Sequence, residues 1–289
     1  MRKIDNTETK RKIGSRSGFA EILSEHKGKG KQIALLSVNE LKKKYKGAAL
    51  GPLWAVIKPT FTLFILWFAF AVGLRGSGNV LFMGEKYRRF EFMLTGYVPW
   101  FFISEMIVGG SRSIRNNKQF VTKLSFPVSN IMTFTSLSSL YIHIMLCVIM
   151  YIVLLCMGYA PSWYNLQFVY YCAAMYFFFL VLSWTTAPLS AFSKDFENLI
   201  NSIITGLFWL SGVFWSTYDV ANPLIKKIMY LNPINYFVNG YRKCFLSHSF
   251  MFDSNYTTET VAFYGELIVL ILIGSHCYKK FRKILPDVL

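Results

Sequence analysis

The sequence predicts an all-α polytopic membrane protein. Six transmembrane helices are expected, with an amphipathic interface helix ahead of the first and two short re-entrant helices before the last. Three observations carry that expectation. Hydrophobic residues make up 54% of the 289 and charged residues 16%, against about 45–50% apolar (Gly included) and 25% charged in an ordinary soluble domain; one compact core does not absorb that excess. The apolar residues gather into six long runs, at 59–74, 92–110, 128–158, 163–189, 199–214 and 261–277. The basic residues are segregated: segments 1–58, 111–127, 190–198 and 278–289 hold 23 Lys and Arg against 8 acids, and the alternate segments hold 8 against 5.

With their flanks, all six runs reach the roughly 17–25 residues a helix needs to cross a hydrocarbon core of about 30 Å. The third and fourth exceed it and are expected to tilt or protrude. Helices are the expected form because they satisfy their own backbone hydrogen bonds where water is absent. The bias of basic residues places both termini on the cytoplasmic side. Most of the formal charge of +16 lies beside expected spans, where anionic lipid attracts it. No recognition module for nucleic acid accompanies it, so membrane lipid is the expected partner and nucleic acid is not.

Residues 1–34 read as a basic mobile cytoplasmic tail. RKIDNTETKRK and HKGKGKQ contain no apolar core, so no cleavable signal peptide is expected. Residues 35–51 supply the interface helix, in the stretch LLSVNELKKKYKGAALG. Ser37-Val38-Asn39-Glu40 has the form of a capping box, with Leu36 and Leu41 at the staple positions around it. Val38, Leu41, Tyr45 and Ala48 or Ala49 recur at helical spacing, with Lys42, Lys43, Lys44 and Lys46 on the remaining faces. A helix of that kind lies along the head groups. Gly51-Pro52 is expected to end it, and Trp54 to anchor the descent into the bilayer. The residues alone fit a basic anchor for the first span, or a docking surface and lateral door for a lipid.

Residues 52–289 then form the transmembrane domain. Its first loop on the side of the termini, SRSIRNNKQFVTKLSFP, carries Arg112, Arg115, Lys118 and Lys123 with no acid among them, and Ile114, Phe120, Val121 and Leu124 as an apolar side. A short cationic helix of this composition can place Ile114 and Phe120 in a groove on another protein, or it enforces topology. Two carboxylates fall inside spans, Glu105 and Glu266; such groups are costly in a membrane and are functional candidates by default. Glu105 either lines a pathway or pairs with a cation of a neighbouring helix. The aromatic side chains, Tyr97 and Trp100 among them, suit a sliding sugar chain, and equally suit packing or head-group belts.

Between the fifth and sixth runs, Asn222-Pro223 and Asn232-Pro233 divide an apolar stretch. Asn is a good N-cap and Pro is favoured at the first helical position. The pieces 223–230 and 233–245 are too short to span, and fit re-entrant helices packed against protein or a plain hairpin. The cysteines at 147, 156, 172, 244 and 277 form no C-x-x-C pair, so inert buried thiols are expected and no metal site. His143 and His276 fall in or at the end of spans, and no partner one turn away is expected for either. Asn255 stands in a formal glycosylation sequon. No G-x-x-x-x-G-K-[ST] occurs, so no catalytic residues and no cofactor are expected on this chain.

LKKKYKGAALGPLWAVIKP, GYVPWFFISEMIVGGSRSI, KLSFPVSN, FSKDFENLI and LNPINYFVNGYR follow one another in order from about residue 36. Together they resemble the ABC type-2 permease family that exports lipid-linked polysaccharides, including teichoic acids, capsules and O-antigens. The character of LWFAFAVGLRGSG and PWFFISE is similar to that of the teichoic acid exporters. Two departures are the sequence before Leu35, which matches nothing in the family, and Ser193-Lys194-Asp195, where an Arg-Asp pair is more usual. The resemblance implies a homodimeric, multi-pass permease of the bacterial plasma membrane. It implies two copies of a separate ATPase subunit, which binds ATP and Mg, and a polymer carried on a polyprenyl diphosphate. It implies coupling to the ATPase through a helix at Arg112, Ile114, Arg115, Lys118 and Phe120 and through Asp195 of the second loop. It further implies lipid-head access at Tyr45, Lys46, Trp54 and Lys58, a pathway past Tyr97, Trp100 and Glu105, and an outer gate at Asn222, Pro223, Asn232, Pro233 and Tyr236. Two rival readings remain open. A small-molecule exporter of the same fold would share every span, and a membrane-embedded glycosyltransferase would need clustered acids, for which Asp195 and Glu197 are the close pair available.

Overall fold

The computed structural model describes residues 17–73, 78–124, 126–251, 253 and 257–289. Residues 1–16 of the expected tail and Asn255 of the sequon lie outside them. The chain is almost wholly helical: α1 (Gly18–His26), α2 (Gly30–Lys44), α3 (Trp54–Phe68), a hairpin of β1 (Asn79–Phe82) and β2 (Glu85–Arg88), α4 (Arg89–Asn116), α5 (Lys118–Thr122), α6 (Val128–Cys156), α7 (Gln167–Phe192), α8 (Lys194–Leu210), α9 (Pro223–Tyr230), α10 (Pro233–Phe245), α11 (Thr257–Phe281) and α12 (Leu285–Val288).

Among the described residues, five helical stretches are long and apolar enough to cross a membrane: Gly51–Phe68, Arg89–Asn116, Val128–Cys156, Trp163–Phe192 and Thr257–Phe281. The third and fourth run to 29 and 30 residues, or about 43–45 Å at 1.5 Å per residue, well beyond a core of about 30 Å. The fifth expected span differs. Helix α8 has 17 residues, about 25 Å, and the chain closes that segment with a buried turn at 211–214.

α4 is the central post of the bundle and packs against α6, α7, α8 and α10. It meets α7 at small residues, where a Cβ on Gly110 would come within 3.3 Å of the Ser183 Cβ. Close approach of this kind supplies the van der Waals contact that holds helices together when lipid is as apolar as they are. α11 packs along α7, and α2 lies across α6.

Three local expectations change. The interface helix begins at Gly30 and ends at Lys44, with Tyr45 as its C-cap, not at 35 and 51. Ser37 therefore caps nothing: it sits in the second turn, fully buried, donates to the Ala34 carbonyl at 2.7 Å and meets the Tyr141 hydroxyl at 3.0 Å. Burial of Ile33 one turn earlier draws the helix back past the capping pattern. Within the stretch expected to be a mobile tail, residues 18–26 form α1, with Ile22 buried and Ser17 accepting from the Ala20 amide as N-cap.

The hairpin was not expected. Its two-residue turn places Met83 at φ 57° and Gly84 at φ 85°, the paired positive φ of a type I′ turn. Register pairs Phe82 with Glu85, and the Phe82 ring is completely buried against Phe92 and Tyr218 at centroid distances of 5.8 and 5.4 Å.

Candidate functional site

At the end of the bundle where α1 and α12 lie, two arginines converge on one carboxylate. Arg112 and Arg115, three residues apart on α4, share a helix face. Ser193 caps α8 by accepting from the amides of Asp195 and Phe196, which fixes the first turn beside them. Glu197 in that turn pairs with Arg112 Nε at 2.6 Å and Arg115 Nη1 at 2.6 Å. Arg112 also donates to Asn201 Oδ1 at 3.0 Å, and Arg115 to the Ser190 carbonyl. The arginines expected to face another protein are thus tied within the chain, to Glu197. The acidic pair that a glycosyltransferase needs is broken up by the same contacts.

The remainder of the expected coupling surface is divided. Ile114 is fully buried and cannot enter a groove elsewhere. Phe120 on α5 is half-buried against Phe126 and Phe134, at 5.5 and 5.6 Å between centroids. What α5 and the turn after it present outward is Lys118, Gln119, Thr122, Lys123 and Leu124. Beside it a second clasp joins α1 to the end of α11 and the start of α6, a feature not expected from the sequence. Arg282 reaches Glu21 at 2.8 Å and Glu25 at 2.5 Å, Tyr278 donates to Glu25 at 2.5 Å, and Ser129 donates to the same carboxylate. A cavity of about 380 Å³ opens there between Thr122, Phe126, Tyr278, Arg282 and Pro286.

About two turns along α4 from Arg112, Glu105 pairs with Lys44 of α2, the cation of a neighbouring helix. Lys43 is held by Glu40 at 3.6 Å, by Asn117 Oδ1 at 3.2 Å and by the Asn116 carbonyl at 3.4 Å. These groups, with Gly109, Thr135, Ser138 and Ser139, line a polar cavity of about 420 Å³ between α2, α4 and α6. Tyr45, next along the chain, is half-buried, and burial first and the Glu105 carboxylate second push its phenol up to about 12. Lys46, Trp54 and Lys58 are exposed around the turn into α3, with Trp54 and Lys58 one turn apart on that helix. Tyr97 and Trp100 do not join Glu105 in an open channel: both are buried, Tyr97 against Phe101 at 6.5 Å and Trp100 against Phe208 at 5.3 Å.

At the opposite end the two Asn-Pro pairs start helices. Asn222 accepts from the amides of Leu224 and Ile225, and Asn232 from that of Ile234. α9 lies at the surface. α10 is buried along every residue after Pro233, as a helix enclosed on all faces must be in a bundle core. Its polar side chains are satisfied there: Asn235 accepts from the Gly212 amide at 2.7 Å, Asn239 donates to Thr217 at 2.8 Å, Tyr236 meets Tyr170 at 2.7 Å, and Tyr241 meets His143 at 2.6 Å. His143 also has Cys147 one turn on, at 3.4 Å, which corrects the expectation of no such neighbour.

Arg242, fully buried, donates to the carbonyls of Phe92 at 3.2 Å, Gly212 at 2.5 Å and Val213 at 2.7 Å and to Asn239 Oδ1 at 3.2 Å, over the Phe92 ring at 3.4 Å. It joins the start of α4 and the last turns of α10 to the turn after α8. Lys243 pairs with Glu259 at 3.5 Å, which also accepts from Tyr218 at 2.9 Å. Arg242 and Lys243 stand in the same LNPINYFVNGYRK stretch as the Asn-Pro starts, and the charge of a YRK triplet amid buried aromatics was the signal that could have found them.

A family model described as ABC-2 type transporter matches residues 31–246. An O-antigen export system permease protein of Myxococcus xanthus is 24% identical over 211 residues, covering 72% of this chain and 78% of that protein. A protein of the same description from Klebsiella pneumoniae is 22% identical over 262 residues, covering 89% and 94%.

Proposed function

This chain belongs to the ABC-2 type transporter family, and from that premise we propose that it is the permease subunit of an ATP-driven exporter moving a lipid-linked cell-envelope polysaccharide out of the cytoplasm. It is a multi-pass membrane protein by its five long apolar helices. The sixth crossing in this reading is α8 with its closing turn, and the side bearing the termini is cytoplasmic, where the basic residues gather. Export of a polymer is supported by the relatives, whose descriptions are O-antigen export permeases. The carrier we assign is a polyprenyl diphosphate, and the polymer a teichoic acid or related polysaccharide.

The observation that carries the mechanism is the tie between α4 and α8 through Glu197. A separate ATPase, two copies on a homodimer, would bind ATP and Mg and press on the surface of Lys118, Lys123 and Leu124. Movement there reaches two spans at once, because α5 follows α4 directly and Arg112 and Arg115 carry it to α8. On the outer side α9 and α10 form the gate, α10 held by Arg242. Lys46 and Lys58 receive the diphosphate as point charges, with Tyr45 and Trp54 beside them at the head-group boundary.

Depleting the protein in its host tests this reading. Lipid-linked polymer should accumulate on the cytoplasmic face while surface polymer falls, and unchanged surface polymer would refute it.

A further inference from the structure

The cavity between α2, α4 and α6 has a chemistry that the two ion pairs alone do not explain. Both of its cations have acid partners: Lys44 has Glu105, and Lys43 has Glu40. An anionic ligand would have to break one of those pairs. The remaining hydrogen-bonding groups are neutral and uncommitted. Ser138 spends its proton on the Thr135 carbonyl, at 2.7 Å, and keeps its lone pairs. The Ser139 hydroxyl has no partner among the described residues. The Glu105 and Glu40 carboxylates retain oxygen lone pairs toward the space.

Shape agrees with this. The floor is Gly109, where an added Cβ would meet nothing within 4 Å, so the backbone there leaves a flat open surface. A volume of about 420 Å³ lies within the range of about 300–1,000 Å³ typical of small-molecule sites. Paired charges, free hydroxyls and acceptor oxygens around a bare backbone are suited to a neutral polyol. We propose that this cavity is a carbohydrate site, gripping the neutral sugar residues next to the lipid anchor as the polymer is taken up. Its position fits that role, since Lys44 at its wall adjoins Tyr45 and Lys46, where the diphosphate is assigned. The inference rests on the export reading above and names what that reading leaves open, the part of the substrate held first.

Gly109 provides the test. Replacing it with Leu puts side-chain volume into the open space, and removes a glycine from a helix interior, which favours folding. In the host strain, with membrane abundance matched by quantitative blotting, Gly109→Leu should lower surface polymer at least tenfold, and Ser139→Leu should do the same. In the purified full-length chain in nanodiscs, saturation-transfer NMR with a neutral oligosaccharide released from the host's own polymer should show contact that Gly109→Leu abolishes and that inorganic pyrophosphate does not displace. Wild-type export from both filled variants would overturn the proposal, as would displacement of the oligosaccharide by pyrophosphate. The export reading is judged separately, by the depletion of the wild-type protein.

Discussion

Glu197 on α8 holds both Arg112 and Arg115 of α4 at 2.6 Å. One carboxylate therefore binds two spans at the end where a driving subunit would act, and the pair of arginines works as an internal strut. Charge-assisted bonds of this kind contribute about 1.5–3 kcal/mol when well made, less where water reaches them, and here Glu197 is 19% exposed and Arg112 36%.

Glu197→Gln should accordingly lower the thermal stability of the detergent-solubilised protein by about 1–2 kcal/mol. Arg112→Ala and Glu197→Gln together should lose less than the sum of the single changes, since both remove one interaction. Additive losses in melting experiments would show that the contact carries no energy.

Lys118, Lys123 and Leu124 stand outward where Ile114 does not. Leu124→Asp, or Lys118 and Lys123 together to Glu, should weaken co-purification of the ATPase subunit about tenfold without changing melting behaviour. Phe120→Asp should destabilise the chain itself, because its ring packs on Phe126 and Phe134. Intact association in the outward variants would confine this loop to topology.

Much of this arrangement was legible, and the rest failed for physical reasons. The Asn-Pro helix starts were readable because an N-cap is made within three residues of chain. The capping box at Ser37 misled for the opposite cause: the local pattern was sound, but burial against α6 and the bond to Tyr141 outweighed it. Glu105 was readable as a carboxylate in need of a cation; that Lys44 supplies it depends on how α2 crosses the bundle. The Glu197 strut and the clasp of Glu25 with Arg282, separated by 257 positions in sequence, leave no periodic mark. The hairpin escaped because Met83-Gly84 lacks the Asn-Gly or Asp-Gly signal that favours its turn.

Arg242 supports a second stability test. A Cβ on Gly96 would strike its guanidinium and approach the Val213 carbonyl at 2.8 Å. Arg242→Ala should cost about 3–5 kcal/mol, leaving carbonyls of α4 and the turn after α8 buried and unpaired, and Gly96→Val should reproduce much of that loss. A loss below 1 kcal/mol in both would remove the latch from the account.

The lipid-head surface is tested by position. Lys46 and Lys58 border the turn into α3, whereas Lys42 lies a turn earlier. At matched expression, Lys46→Glu and Lys58→Glu should depress polymer-stimulated ATP hydrolysis by the full complex at least fivefold, and Lys42→Glu less than twofold. General attraction to anionic lipid would fall by about 1 kcal/mol per residue wherever the charge is removed, so equal losses at all three would leave only a membrane anchor.

The most direct measurement is transport itself. The purified chain and its separate ATPase subunit, reconstituted together in liposomes loaded with lipid-linked polymer, should turn polymer from one leaflet to the other only when ATP and Mg are supplied, as read by a membrane-impermeant glycosidase. The chain alone should hydrolyse no ATP and move no polymer. Translocation without nucleotide, or none in the complete, ATP-hydrolysing complex, would contradict the assignment of this protein as an ATP-driven polysaccharide permease.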